Sequence, residues 1–216
     1  MNDSTRLDNK LPVPSQRHDE LYQQLADKID MARLAPGKSV TVEMFMRCMA
    51  ASKAEMLPVI ASLLENGLLI RTGDDLHVSP VDSAYLRARL DKRQELELTI
   101  VEAAAANAGQ FAPIMMLEAL TMMRRSALVG DIEGFMMADR RLEKEIAAAS
   151  GLPELCEEFF TIKREFRRGW LAYNRLRDFN GIATMRARLV EAILRGNSAD
   201  AIALVRQIID ALRPAF

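Results

Sequence analysis

Two acidic side chains, Asp139 and Glu143, are the candidates for chemistry in the C-terminal part of the chain. They are four residues apart, so both carboxylates lie on one face of a predicted helix. The two histidines of the chain, His18 and His77, lie outside residues 81–216. Because zinc and nickel prefer nitrogen or sulfur ligands, two carboxylates without an imidazole predict a poor site for either metal.

The same residues give little support for catalysis. Two carboxylates one helical turn apart do not define a reaction, and residues 81–216 contain neither a histidine base nor a glycine-rich phosphate loop. We therefore predict that the protein is not an enzyme and that its charged side chains serve binding.

A second set of candidate residues begins a helix. Ser52-Lys53-Ala54-Glu55 has the pattern of a capping box, with Gly67 as the expected end of the helix. A short helix from Val42 to Met49 precedes it, with Thr41 as the N-cap. An earlier helix is predicted from Asp19 to about Ala35, where Pro36-Gly37 would end it. Two strand-like runs, Leu68–Arg71 and Leu76–Val78, follow around a Gly73-Asp74-Asp75 turn.

These elements predict a mainly α protein with two domains. Residues 1–18 are interpreted as a flexible N-terminal arm, residues 19–80 as a winged helix-turn-helix, and residues 81–216 as an all-helical antiparallel bundle. Six helices fit the bundle, with breaks at Asn107-Ala108-Gly109, Gly130, Gly151, Asn180-Gly181 and Gly196-Asn197.

Composition narrows the class of protein. Half of the residues are hydrophobic and 27% are charged, as in a folded globular chain. No stretch approaches the ~20 apolar residues of a membrane span, and two free cysteines favour a cytoplasmic location. The net charge is −1, and the first 80 residues hold nine Lys and Arg against eleven Asp and Glu. The charge balance therefore does not by itself indicate nucleic acid.

The winged-helix region resembles the GntR family of transcription regulators. The resemblance rests on Leu34-Ala35-Pro36-Gly37, on Ser52-Lys53 and on Leu63-Leu64-Glu65-Asn66-Gly67-Leu68. It implies that the N-terminal end of the helix that begins near Ser52 enters the major groove of DNA, with the wing beside it. The DNA-contacting residues are then expected to be Lys38, Thr41, Ser52, Lys53, Ala54 and His77.

Three positions depart from that family pattern. Lys53 replaces an arginine, Leu57 stands where a second arginine is common, and Glu43 occupies a position that is usually basic or polar. Pro58 also lies inside the third helix. These departures leave open a second interpretation, in which the winged helix no longer binds DNA and serves protein interaction. His77 is interpreted as a solvated loop residue, with a contact to the minor groove as the alternative.

The C-terminal region resembles the FCD sensor domain of the same family. The matching residues are Arg93 with Leu96-Glu97, Asp139 with Leu142-Glu143, Ala148 to Gly151, and Arg186 to Ile193. Many FCD domains hold a metal with an aspartate and three histidines. Asp139 matches the aspartate, whereas Glu143, Arg186 and Ile208 occupy the three histidine positions, so we predict that the metal site is lost and that no cofactor is bound.

The resemblance implies that the effector site uses Arg93, Asp139, Glu143 and Arg186. Arg186 is expected either to hold an anionic effector or to form an internal salt bridge with Asp139 or Glu143. Arg93 has a similar alternative, an ion pair with Glu97. On the helix around Phe159, Phe166 and Trp170, the aromatic face is interpreted as core or dimer surface, with the effector cavity as an alternative. The basic residues of this helix are interpreted as a solvated face, with effector or partner binding as the alternative, and they are Lys163, Arg164, Arg167 and Arg168.

Together these observations predict a homodimeric regulator that binds double-stranded DNA. A small molecule, most simply an organic acid, would control its operator affinity. The alternative is a helical ligand-binding or protein-interaction module that kept the fold without binding DNA.

Overall fold

The computed structural model describes residues 14–173 and 178–215. Over these residues the chain forms nine α-helices and three short strands, so the predicted mainly α class is confirmed. The described residues divide into two compact units, one formed by residues 14–29 and 33–80 and the other by residues 30–32 and 81–215. Each unit has its own hydrophobic core.

The first unit combines three helices with a three-stranded sheet. Its elements are α1 (Pro14–Asp30), β1 (Ser39–Val40), α2 (Val42–Met49), α3 (Lys53–Glu65), β2 (Leu69–Thr72) and β3 (Asp75–Val78). All strand pairs are antiparallel and the strand order is β1-β3-β2. The predicted hairpin is confirmed, whereas β1 was not predicted because two residues show no periodicity.

The predicted caps of α2 and α3 are confirmed. The Thr41 hydroxyl accepts a hydrogen bond from the Met44 amide at 3.1 Å. Ser52 and Glu55 form a complete capping box, in which the Ser52 amide donates to Glu55 Oε2 at 2.8 Å and the Glu55 amide donates to Ser52 Oγ at 3.3 Å. Pro58 lies on the exposed side of α3, and the helix continues through it to Glu65.

The predicted limits of α1 were wrong at both ends. The helix begins at Pro14 rather than Asp19, because proline is well tolerated in the first turn and residues 15–18 need no apolar pattern to be helical. It ends at Asp30 rather than near Ala35, because Ala32 takes a left-handed backbone with φ of 51°. Residues 1–13 of the predicted arm lie outside the described residues.

The second unit is the predicted six-helix bundle. Its helices are α4 (Ser83–Ala106), α5 (Ile114–Val129), α6 (Ile132–Ser150), α7 (Pro153–Tyr173), α8 (Phe179–Leu194) and α9 (Ser198–Leu212), followed by a short 3₁₀ turn, Arg213–Ala215. Helix α4 contacts α6, α7, α8 and α9, so its side chains are surrounded on several sides.

One predicted break in the bundle was wrong. Asn180 and Gly181 lie inside the first turn of α8 because the helix begins earlier, at Phe179, with Asp178 as its N-cap. The Gly181 amide donates to Asp178 Oδ1 at 2.8 Å, and a Cβ on Gly181 would collide with the other Asp178 carboxylate oxygen. Glycine therefore serves the cap here and does not end a helix. No helix within the described ranges is long and apolar enough to cross a membrane.

Candidate functional site

Helix α4 contributes a buried ion pair. Arg93 and Glu97 lie one turn apart on the face that also buries Leu90 and Ile100, so the helix carries both charges into the bundle. The Arg93 Nε atom donates to Glu97 Oε1 at 2.6 Å, which confirms the pair expected from their spacing. Both side chains are almost fully buried.

Helix α7 contributes two more cations. The Lys163 Nζ atom lies 2.9 Å from Glu97 Oε1 and 2.9 Å from Glu143 Oε1, so it joins α4 to α6. Arg167 Nη2 donates to Glu143 Oε2 at 2.7 Å. The prediction that the basic residues of this helix are solvated was therefore wrong for Lys163 and Arg167, and it was also wrong for Arg168, which is buried. Lys163 and Arg167 belong to the face that carries Phe166 and Trp170, and both aromatic side chains are buried in the bundle.

Arg186 of α8 completes the network. Its Nε atom lies 2.8 Å from Asp139 Oδ1, and its Nη2 atom lies 3.4 Å from Glu143 Oε1. Nη2 also donates to Asp139 Oδ2 at 3.4 Å, whereas the shorter approach of Nε to Oδ1 is not aligned as a hydrogen bond. The predicted internal salt bridge of Arg186 is thus present, and it involves both carboxylates.

The network keeps its acids ionised. Burial raises the pKa of Glu143, but the charges of Lys163, Arg167 and Arg186 outweigh burial and lower that pKa to about 2. The pKa of Glu97 is likewise held far below its ordinary value, because Arg93, Lys163 and Arg186 outweigh burial. Burial and the nearby Arg93 lower the pKa of Lys163, against the two glutamates that raise it.

A cavity of about 320 Å³ lies beside this network. All four residues predicted for the effector site line it, namely Arg93, Asp139, Glu143 and Arg186. Lys163 and Arg167 line it as well. The apolar part of the wall comes from α6 to α9 and consists mainly of Phe135, Met136, Phe166, Trp170, Ile182, Met185, Ile208 and Leu212. The Arg93 guanidinium lies over the Phe166 ring, 4.8 Å from its centroid.

The charges of the network do not cancel. Four cations, Arg93, Lys163, Arg167 and Arg186, face three carboxylates, Asp139, Glu143 and Glu97. The further acid of the cavity wall, Asp178, is exposed and caps α8. The buried network therefore carries one excess positive charge, which an organic anion would neutralise while its apolar part contacts the wall.

The same residues do not fit the metal that many FCD domains hold. Glu143, at one former histidine position, already accepts from Lys163, Arg167 and Arg186, and Arg186 occupies another. A guanidinium offers no lone pair to a metal, and cations this close would repel one. Within residues 14–173 and 178–215, no cluster of three or more His, Cys, Asp or Glu side chains could ligate a metal ion.

The six residues predicted to contact DNA all belong to the first unit. Ser52, Lys53 and Ala54 are consecutive and exposed at the beginning of α3, and Thr41 is exposed at the beginning of α2. The Ser52 and Thr41 hydroxyls are engaged in capping, so among the residues that the structure describes it is Lys53 that brings a positive charge to the first turn of α3.

Pairing of β1 with β3 brings the remaining two residues side by side. His77 pairs with Ser39, and the Lys38 carbonyl accepts a hydrogen bond from the Val78 amide at 2.9 Å. Lys38 is exposed, whereas His77 is half-buried within β3. The interpretation of His77 as a solvated loop histidine was therefore wrong, because the strand extends through it.

Several solved structures share the fold of this chain. "E. coli McbR/YncC" matches with a TM-score of 0.78 and 17% identity, covering 90% of this chain and 94% of that one. A transcriptional regulator GntR from Rhodococcus sp. RHA1 matches with a TM-score of 0.74 and 17% identity, covering 92% and 96%. Streptococcus agalactiae GntR matches with a TM-score of 0.51 and 15% identity, covering 94% and 100%. At these identities the likeness shows the fold.

The family follows from the sequence of the second unit. No curated protein matches the chain. The FCD domain model matches residues 89–211, which include the whole buried charge network and more than half of the chain. The predicted resemblance is confirmed, and the chain belongs to the FCD domain family.

Proposed function

We propose that this chain is a DNA-binding transcription regulator whose operator affinity is controlled by an organic anion in the cavity of its helical unit. The observation that carries the proposal is the buried network of four cations and three carboxylates beside an apolar wall. Membership of the FCD family and a fold shared with solved GntR-type regulators support it.

The cavity chemistry favours a carboxylate with an apolar body. Guanidinium groups bind carboxylates through two parallel hydrogen bonds, and both Arg93 and Arg186 reach the cavity. A volume of about 320 Å³ is close to the lower end of the range for small-molecule sites, which suits a small acid. Phe166 and Trp170 would contact its hydrocarbon part.

An incoming carboxylate would compete with the carboxylates already in place. Arg186 is shared between Asp139 and Glu143, and its contact with Glu143 is long at 3.4 Å. A ligand that takes the guanidinium would release part of that interaction and shift α8 relative to α6. Such a ligand can change the affinity for DNA only if it binds the DNA-binding conformation and the alternative conformation with different affinities. DNA must then change the affinity for the ligand by the same factor.

The first unit would bind DNA through the beginning of α3. Lys53 is an exposed cation at the first helical position, where a recognition helix meets base edges and phosphates. Two copies related by a twofold axis would place two such helices in half-sites about one helical turn apart.

A mobility-shift titration tests the DNA-binding part. The purified chain is mixed with the duplex upstream of its own gene and with a scrambled duplex at several salt concentrations. We expect sequence preference and a steep loss of affinity with salt, because lysine contacts release counterions from the phosphates. Lys53→Ala should weaken binding by roughly tenfold or more, whereas Lys144→Ala, an exposed lysine of the helical unit, should not.

Absence of DNA binding in this titration would favour the alternative function, a ligand-binding or protein-interaction module that does not bind DNA. Glu43 and Leu57 are both exposed on the first unit, where a basic surface would bind DNA better. A chain that ignores both duplexes even at low salt, or that binds them equally with and without Lys53, would contradict regulation through DNA.

A further inference from the structure

Helix α5 has an exposed apolar face. Ile114, Leu128 and Val129 are 61%, 79% and 74% exposed, and Leu117 is 47% exposed. The opposite side of the same helix, with Met116, Leu120 and Met123, is buried against the rest of the bundle. A run of large apolar side chains in water is typical of an interaction surface.

The order of residues along this face is nearly symmetric about Thr121. Counted outward from Thr121, Ile114 and Leu128 are each seven residues away. Leu117 and Arg125 are each four residues away, and Glu118 and Arg124 are each three residues away. In two antiparallel copies of the helix related by a twofold axis at Thr121, each member of such a pair lies opposite the other.

This register pairs apolar residues at the two ends and opposite charges nearer the axis, whereas Leu117 lies opposite Arg125. Ile114 would contact Leu128 of the second copy at both ends, and Glu118 would face Arg124 twice. Arg124 forms no ion pair with any residue that the structure describes, whereas Glu118 is held on the surface by Arg141 at 2.8 Å. The aliphatic part of Arg125 would cover Leu117. Thr121, the residue on the axis, is small enough to allow close approach of two helices.

We infer that α5 packs antiparallel against α5 of a second copy of this chain, with Thr121 on the twofold axis. The inference rests on the proposed function, which needs a twofold dimer, and it names the surface that forms it. The paired order of the side chains favours a second copy as the occupant, because the twofold axis brings Glu118 of each copy opposite Arg124 of the other.

Cysteine crosslinking tests the axis. In a chain with Cys48→Ser and Cys156→Ser, Thr121→Cys should form a disulfide-linked dimer under mild oxidation, because only residues near the axis meet their own copies. Thr99→Cys is a matched control. Both threonines are exposed in mid-helix and donate to the carbonyl four residues earlier, Thr121 to Leu117 and Thr99 to Glu95. Crosslinking at Thr99 but not at Thr121 would overturn the inference.

A charge swap provides a second readout that misfolding cannot imitate. Glu118→Arg and Arg124→Glu should each raise the dimer dissociation constant by roughly tenfold or more, because like charges then face each other twice. The double variant should return close to the wild-type value. Equal dissociation constants for all four chains, measured by sedimentation, would also overturn the inference.

The same samples separate this inference from the proposed function. If the wild-type dimer binds DNA but Thr121→Cys does not crosslink, the surface is wrong and the function stands. If Thr121→Cys crosslinks and the dimer ignores DNA, the surface stands and the function is wrong. A wild-type chain that stays monomeric overturns the inference.

Discussion

The two units of the chain place their charges in opposite ways. In the described residues of the first unit, Ser79 is the only buried polar side chain, and the core is made of residues such as Leu25, Phe45 and Leu63. The second unit buries charged residues from α4, α6, α7 and α8 within one network. Under the proposed function, the exposed charges of the first unit would serve DNA binding, and the buried charges of the second would serve ligand binding.

The buried charges of the second unit are not explained by stability alone. A buried ion-pair network of this kind is often no more stable than an apolar core of the same volume, because each charge loses its hydration. A bundle that needed only stability would be expected to fill this space with leucine and phenylalanine. Under the proposed function, the four cations beside the cavity would be retained for ligand binding.

The largest effect should follow from breaking the network at its centre. Glu143→Gln leaves Lys163, Arg167 and Arg186 without their shared carboxylate, and the free energy of unfolding should fall by about 3–5 kcal/mol. Glu157→Gln, an exposed change on α7, should stay within about 0.5 kcal/mol. Urea unfolding followed by circular dichroism measures both. Equal stabilities of the two variants would mean that the network is not coupled to folding.

A fall in pH from 4.5 toward 2 should remove the contribution of the buried network to the free energy of unfolding. Glu143 has a pKa lowered from 4.5 to about 2, and that of Glu97 is also lowered, so both stabilise the fold above pH 4.5 and lose that contribution as pH falls toward 2. Trp170, the single tryptophan, lies in the helical unit beside the cavity and reports on that unit.

The measurement is denaturant unfolding of the wild type and of Glu143→Gln, followed by Trp170 fluorescence between pH 5 and about pH 2. The wild type should lose stability steeply over this range, and the variant should lose less, since it lacks one of the titrating groups. A wild type that is insensitive to pH over the range would contradict the lowered pKa values.

A smaller effect is expected at the beginning of α3. Ser52→Ala removes the capping box and should lower the free energy of unfolding by about 1 kcal/mol. Ser83→Ala is the control, because Ser83 is the first residue of α4 but the cap there is Asp82. If both changes were neutral, the capping box would not contribute to the first unit.

The contacts that could be predicted from the sequence join residues that lie within one helical turn of each other. The Ser52–Glu55 box and the Arg93–Glu97 pair each join residues three or four apart, so the sequence alone predicts them. The pairing of Arg186 with Asp139 spans 47 residues and was anticipated only through family resemblance.

What could not be predicted depended on several helices at once. Lys163 lies one turn from Arg167, on the face of Phe166 and Trp170, and this spacing was the one available signal. Whether such a face is solvated is decided by the carboxylates of α4 and α6, which lie 66 and about 20 residues away in sequence. The start of α8 was missed for a simpler reason, since an N-capping aspartate outweighed the usual meaning of an Asn-Gly pair.

The central claim, that the buried cations hold an organic anion, is tested most directly by matched ligands. Melting temperature and Trp170 fluorescence are measured with straight-chain and aromatic carboxylates, from acetate to decanoate and benzoate, and with the corresponding amides. Carboxylates should raise the melting temperature saturably and amides should not. Arg186→Gln should abolish the response, whereas Arg188→Gln, an exposed arginine of the same helix, should keep it. Amides as effective as acids, acids without effect, or a response unchanged by Arg186→Gln would contradict the account.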